Sequence, residues 1–309
     1  MSAPTLPARD DDARPDPVRE RGGRPAGLRG VRWFTQVGWK YPFAAVVVVY
    51  AAFPLVYVLS AAVARSGTLT GSTSMFRSFS TANLEALGAT RFWTWAVNSL
   101  VIGTVTAVGS VLMGAAAAYA FSRFRFTGRR AGLLTLLVIQ MFPQMLAFVS
   151  IFLLLLALGA VVPALGLDSM VALVAVYLGG ALGTNTFLMY GFFSTVPREL
   201  DEAARIDGAT HAQIFWTIIL RLVTPILAVV GLLSFIATFG EFIIARLVLT
   251  SESRWTLAVG MYGWVSQQLN ANWGLFAAGA VIAAVPVLVL FLALQRYIVG
   301  GLTAGSVKG

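Results

Sequence analysis

Six apolar runs, each long enough to cross a lipid bilayer, constrain this chain more than any other feature. They cover residues 41–63, 98–121, 131–158, 170–193, 222–248 and 275–298. A hydrocarbon layer of about 30 Å is spanned by about 20 residues of helix. Within it, backbone N–H and C=O groups have no water to bond, so an open chain crosses as helix. The sequence therefore predicts an all-α membrane protein with six transmembrane helices. Composition agrees: 58% of residues are hydrophobic and 11% charged, against about 25% charged in a soluble domain. The first run, 23 residues long, exceeds the roughly 7–15 apolar residues of a secretory signal, although Ala62, Val63 and Ala64 have the spacing of a cleavage site.

Charge gives the orientation. Near the run ends, Lys and Arg fall 14 to one side and 4 to the other. The richer side holds Arg123, Arg125, Arg129, Arg130, Arg198, Arg205, Arg221 and both chain ends. By the positive-inside rule that side is the cytoplasm. The net charge of +9 is thus read as membrane topology, with no nucleic-acid partner. Residues 1–40 are polar and rich in Pro, Arg, Asp and Gly, which predicts a disordered tail. The expected organisation is that tail, a first helix at 41–63, an extracytoplasmic segment at 64–95, a five-helix core at 96–298, and a tail at 299–309.

Several chemistries are excluded. The chain has no cysteine and one histidine, His211, so thiolate and multi-histidine metal sites are absent. Its two lysines follow Trp39 and Val307. Neither has the Gly-Lys-Ser/Thr context of a phosphate-binding loop. No catalytic residue, metal or cofactor is expected on this chain, and any ATP hydrolysis belongs to another. Pro143, Pro225 and Pro286 fall inside apolar runs, where proline favours a kink. Gln140, Gln144, Asn185, Glu241 and Arg246 sit at membrane depth and should face the bundle interior, a cavity or a partner. Gly179, Gly180 and Gly183 are expected to let helices approach closely. A self-sufficient secondary transporter would need an ion site, and Glu241 is the one acid placed firmly within a run.

The charged stretch 194–225 lies between two apolar runs. Pro197 suits a first helical turn. Glu199, Asp201 and Glu202 favour that helix's positive end. Gly208 can take the positive φ that terminates it. Thr210 and Gln213 have capping-box spacing, so a second helix should start there and run into the fifth span. A short helix bearing Ala203 and Ala204 suits insertion into a groove on another protein.

The combination of Glu202, Ala203, Ala204, Gly208, Ile218 and Leu220 resembles the EAA signature of ABC importer permeases. Arg221 stands where that signature has proline, and a proline follows at 225. Gln140–Pro143, residues 256–261 and the ending QRYIVGGLTAGSVKG resemble the MalG-type permeases of maltose and maltodextrin importers, with similarity over about residues 41–309. The resemblance implies a type I ABC importer permease bundle in the prokaryotic cytoplasmic membrane, with loop 194–221 docking into an ATPase. It also implies a second, MalF-like permease, a MalK-like ATPase homodimer holding ATP and Mg, and an extracytoplasmic sugar-binding protein. Gly305, Val307 and Lys308 would belong to a tail at the ATPase interface. Gln267, Gln268 and Asn270 would lie in a loop contacting the binding protein. The alternative within the same family is a permease for another sugar or a glycerol derivative.

Overall fold

The computed structural model describes residues 37–64, 76, 79–266 and 272–304. Among these, every regular element is helical. The expected polar tail before residue 37, the contact residues Gln267, Gln268 and Asn270, and the tail residues Gly305, Val307 and Lys308 lie outside the described residues.

The chain divides into two compact units, residues 1–54 and 55–309. Helix α1 is Lys40–Ala62, and its lipid-compatible surface is almost wholly exposed up to Leu59. Its last residues Ser60, Ala61 and Ala62 are buried within the second unit. There Asn83 donates to the carbonyls of Ala62 and Ala64, both at 3.0 Å.

The second unit is organised around α3 (Phe92–Arg123) and α6 (Met170–Thr195). These pack along each other and against α9 (Thr224–Phe239), which in turn meets α12 (Trp273–Ala304). Small residues along α3 permit this: Ala107, Ala115 and Ala118 are buried, and Gly103 lies against the Phe235 ring. Short α2 (Ala82–Gly88) rests on α12. Helix α11 (Leu257–Ser266) packs on α3 and α12. Gly260 makes that approach possible, because a Cβ there would overlap the Trp95 indole.

Two expected spans are interrupted. The run 131–158 forms α4 (Arg129–Gln140) and α5 (Phe148–Val161), separated by a turn around Pro143. Proline lacks an N–H and the residue before it disfavours helix, so the ladder stops there. The run 222–248 does not continue the preceding helix. The segment α8 (His211–Leu222) meets α9 at an angle of 81°. Pro225 sits in the first turn of α9, where its missing donor costs nothing, rather than inside a span. A second break at residues 240–242 separates α9 from α10 (Ile243–Val248). Among the described residues, four helices are individually long and apolar enough to cross a membrane, or five counting α8 with α9 as one bent span. Helix α12 continues through Pro286 and runs to Ala304.

The polar residues at depth have specific positions. Glu241 accepts from the backbone N–H groups of Ile244 and Ala245 at 2.8 and 2.9 Å, and from the Tyr177 hydroxyl at 2.5 Å. It thus caps the first turn of α10, where a carboxylate satisfies orphan donors. Asn185 donates to Ser234 at 3.1 Å across α6 and α9. Gln140 accepts from Thr184 and lies against Gly183, which confirms a close helix approach at that glycine. Among the described residues, no other helix of this chain approaches Gly179 or Gly180 closely. Nothing lies within 4 Å of a Cβ at either, and both line a cavity of about 760 Å³. Arg246 is exposed at the end of α10, with its guanidinium 5.2 Å from the Trp255 ring.

Candidate functional site

The loop after α6 folds as its residues dictate. Helix α7 is Glu199–Ile206, beginning two residues after Pro197, with Glu199, Asp201 and Glu202 in its first turn. It ends in a Schellman arrangement. Gly208 N–H donates to Arg205 C=O at 3.0 Å, and Ala209 N–H to Ala204 C=O at 2.9 Å. Gly208 has φ of 86°, the conformation this cap demands and glycine adopts without strain. Both halves of the next cap are formed: Gln213 N–H donates to the Thr210 hydroxyl at 3.3 Å, and Thr210 N–H to the Gln213 side chain at 2.8 Å.

This places the expected coupling residues in two groups. Glu202, Ala203 and Gly208 are exposed and Ala204 is half-buried, all on or next to α7. Ile218 and Leu220 are half-buried on α8. That helix packs onto the C-terminal ends of α3 and α6 through Ile214, Phe215 and Ile219 against Tyr119, Met189 and Phe193. Exposed Arg221 precedes the bend into α9. One face of α7 therefore projects Leu200, Ala203 and Ile206 away from the protein, with Ile206 87% exposed. The result is an uncovered apolar stripe with small residues and a charged edge.

The opposite face carries a group not anticipated from the sequence. The Asp201 and Arg123 side chains are 1% and 3% exposed and form an ion pair at 2.7 Å. Arg123 also donates to the Val196 carbonyl at 3.0 Å, and Arg198 donates to the Ser122 carbonyl at 2.9 Å. Read alone, Arg123 is one more inside-facing arginine and Asp201 one more first-turn acid. Their spacing from apolar neighbours gives no sign that they meet.

On the other end of the bundle, residues 249–257 are held by α3. Trp95 donates to Glu252 C=O at 2.9 Å, and Asn98 to the carbonyls of Ser253 and Trp255 at 3.0 and 2.9 Å. Asp168 ties in the loop before α6. It accepts from Thr250 N–H, Ser251 N–H and the Ser251 hydroxyl, and Arg254 donates to its carbonyl. Burial disfavours its charge, but those hydrogen bonds from Ser251 and Thr250, with the Arg254 charge, outweigh it and hold the carboxyl below its ordinary range. Trp255 and Trp264 pack on Trp95 with ring centroids 6.1 and 5.6 Å away.

The cavity between α3, α5, α6 and α9 is mainly apolar, with Leu154, Leu158 and Leu233 among its walls and Thr106, Ser110, Asn185 and Thr238 as polar points. No cluster of metal-ligating side chains occurs among the described residues.

The arrangement of helices is that of an ABC importer's membrane subunit. A chain of the bacterial ABC transporter that imports the acidic polysaccharide alginate superposes with a TM-score of 0.72 at 22% identity, covering 87% of this chain and 99% of that one. At sequence level, residues 110–303 match the family described as binding-protein-dependent transport system inner membrane component, and the chain belongs to it. The maltodextrin transport system permease protein MdxG of Bacillus subtilis is 46% identical over 220 residues, 71% of this chain and 77% of that protein. The galactooligosaccharides permease GanQ of the same organism is 41% identical over 215 residues, 70% and 74% of the two chains. The maltose/maltodextrin permease MalG of Escherichia coli K12 is 43% identical over 217 residues, 70% and 72%.

Proposed function

We propose that this chain is one of two permease subunits of an ATP-driven importer for maltose, maltodextrin or a related oligosaccharide. The observation that carries the reading is α7. It is a short helix closed at its C-terminus by the Gly208 turn and braced from behind by buried charge, with Leu200, Ala203 and Ile206 left uncovered. Such a surface suits a groove on an ATPase chain that holds the ATP and Mg. The maltodextrin and maltose/maltodextrin permeases among its relatives support the substrate class, while the galactooligosaccharide relative defines the competing one. An alginate importer has been solved with a sugar-bound periplasmic protein, which supports an extracytoplasmic binding-protein partner here.

In this reading the chain crosses the cytoplasmic membrane six times, with both termini inside. The α4–α5 pair and the α9–α10 pair complete the crossings that single long helices do not supply. The exposed faces of α4 and α5, which bury one residue between them, Leu155, meet lipid or the second permease.

Reconstitution tests this directly. Proteoliposomes holding this chain, its companion permease, the ATPase and the binding protein should take up labelled maltodextrin with ATP. Omitting the ATPase should abolish uptake. Uptake or ATP hydrolysis by the purified chain alone would refute the reading. Preferential uptake of galactooligosaccharide would refute the substrate assignment only.

A further inference from the structure

Arg123, Asp201 and Arg198 form a reciprocal clamp that the docking reading does not require. Ser122 and Arg123 are the last two residues of α3, and Val196 is the residue that closes α6. Arg123 reaches from α3 to the Val196 carbonyl, and Arg198 reaches from the loop back to the Ser122 carbonyl. Each arginine thus satisfies a carbonyl that a helix end leaves without an internal partner. The ion pair then adds α7 to the same junction, so two side chains join three helices.

Its chemistry is unlike that of a stability device. Two charges that are 3% and 1% exposed lose their water, and an apolar pair of equal volume commonly serves stability as well or better. The 2.7 Å contact is also not aligned as a hydrogen bond, and neither Asp201 oxygen has a hydrogen-bond partner. What the pair supplies is direction. Asp201 lies on the side of α7 away from Leu200, Ala203 and Ile206, so it grips the back of the surface that docks. A force on the exposed face is then borne by a charged contact to the end of a 32-residue helix.

We propose that Asp201 and Arg123 are positioning residues that pass displacement of α7 to α3, with Arg198 as the return tie. This rests on the docking reading above. Mechanical coupling of this kind is worth a factor of about 5–150 between linked sites.

The test uses Asp201→Asn in the reconstituted complex, with three readouts. The first is affinity of the nanodisc-embedded permease pair for the ATPase. The second is sugar taken up per ATP hydrolysed. The third is mobility of a spin label at Ile206→Cys, a unique site because the chain has no cysteine. The expected result is unchanged ATPase affinity, at least about a fivefold loss of uptake per ATP, and a more mobile label without any ATPase present. Full uptake per ATP overturns the proposal. So does loss that tracks ATPase affinity, since the pair would then merely hold the docking surface. If Asp201→Asn fails to insert, Arg198→Gln, which removes one tie from an exposed side chain, is measured against the same outcomes. Failure of the wild-type pair to bind any ATPase would overturn the docking reading instead, and the label mobility still judges the clamp.

Discussion

Replacing Gly208 tests whether the cap of α7 sets the docking surface. Nothing lies within 4 Å of a Cβ at this position, so collision contributes nothing to the effect. The remaining cost is backbone strain at φ of 86°, about 1–2 kcal/mol for an L residue held left-handed. Asparagine tolerates that region best and β-branched residues worst, so the order of disruption should be Val, then Ala, then Asn. A penalty of that size is a factor of about 5–30 in the equilibrium between closed and open cap. The Ala209 amide reports it directly, because its bond to Ala204 C=O at 2.9 Å must break for exchange. Hydrogen exchange on the nanodisc-embedded protein should therefore speed up at Ala209 by about 5–30-fold in Gly208→Ala and further in Gly208→Val. Weaker ATPase association should follow in the same order. Equal exchange rates in glycine, alanine and valine forms would show that the turn is not strained and that the argument from φ is wrong.

Gly260→Ala should drive α11 away from α3, because its Cβ would overlap the Trp95 ring; overpacking of this kind costs about 1–3 kcal/mol, and an unshifted thermal midpoint in detergent would refute it. Asp168 should make stability fall on acidification. Its carboxyl is held below the ordinary value, so its contribution is complete above the unfolded value of about 3.9 and is lost as pH falls through the folded one. Asp168→Asn should flatten that acid limb in a pH series of unfolding midpoints, and an unchanged limb would show that other carboxylates set it. Removal of residues 302–309 should leave insertion and pairing with the second permease intact while lowering sugar-stimulated ATP hydrolysis; full hydrolysis by the truncated complex would show that the tail is dispensable.

Much of the architecture was legible because hydropathy and capping are local. The runs 98–121, 170–193 and 275–298 each correspond to one long helix, Phe92–Arg123, Met170–Thr195 and Trp273–Ala304. The Gly208 turn and the Thr210–Gln213 box were readable because each depends on residues within one turn of chain. Continuity was not readable. An apolar run records that a segment avoids water, not that its hydrogen-bond ladder is unbroken, so the stop near Pro143 and the 81° bend before α9 were hidden inside single runs. Gly179 and Gly180 show a related point: a small residue permits contact or leaves space, and only the neighbouring helix decides which. The Arg123–Asp201 pair was invisible because membrane topology and the helix dipole each gave one of its members a sufficient local explanation.

The two grips on α3 suggest why that helix stays whole while others break. At 32 residues it is about 48 Å long, and it contains no proline. Near one end, Trp95, Asn98 and Ser99 hold residues 252–257, with Ser99 accepting from Leu257 N–H at 2.8 Å. At the other, Ser122 and Arg123 hold residues 196–201. Both grips lie on one continuous ladder of backbone hydrogen bonds, which bends only gently unless a proline, a bulge or an inserted group interrupts it. The neighbouring segments have such interruptions at 141–147, at Val223 and at 240–242. One unbroken helix therefore carries both grips and connects residues 252–257 to residues 196–201.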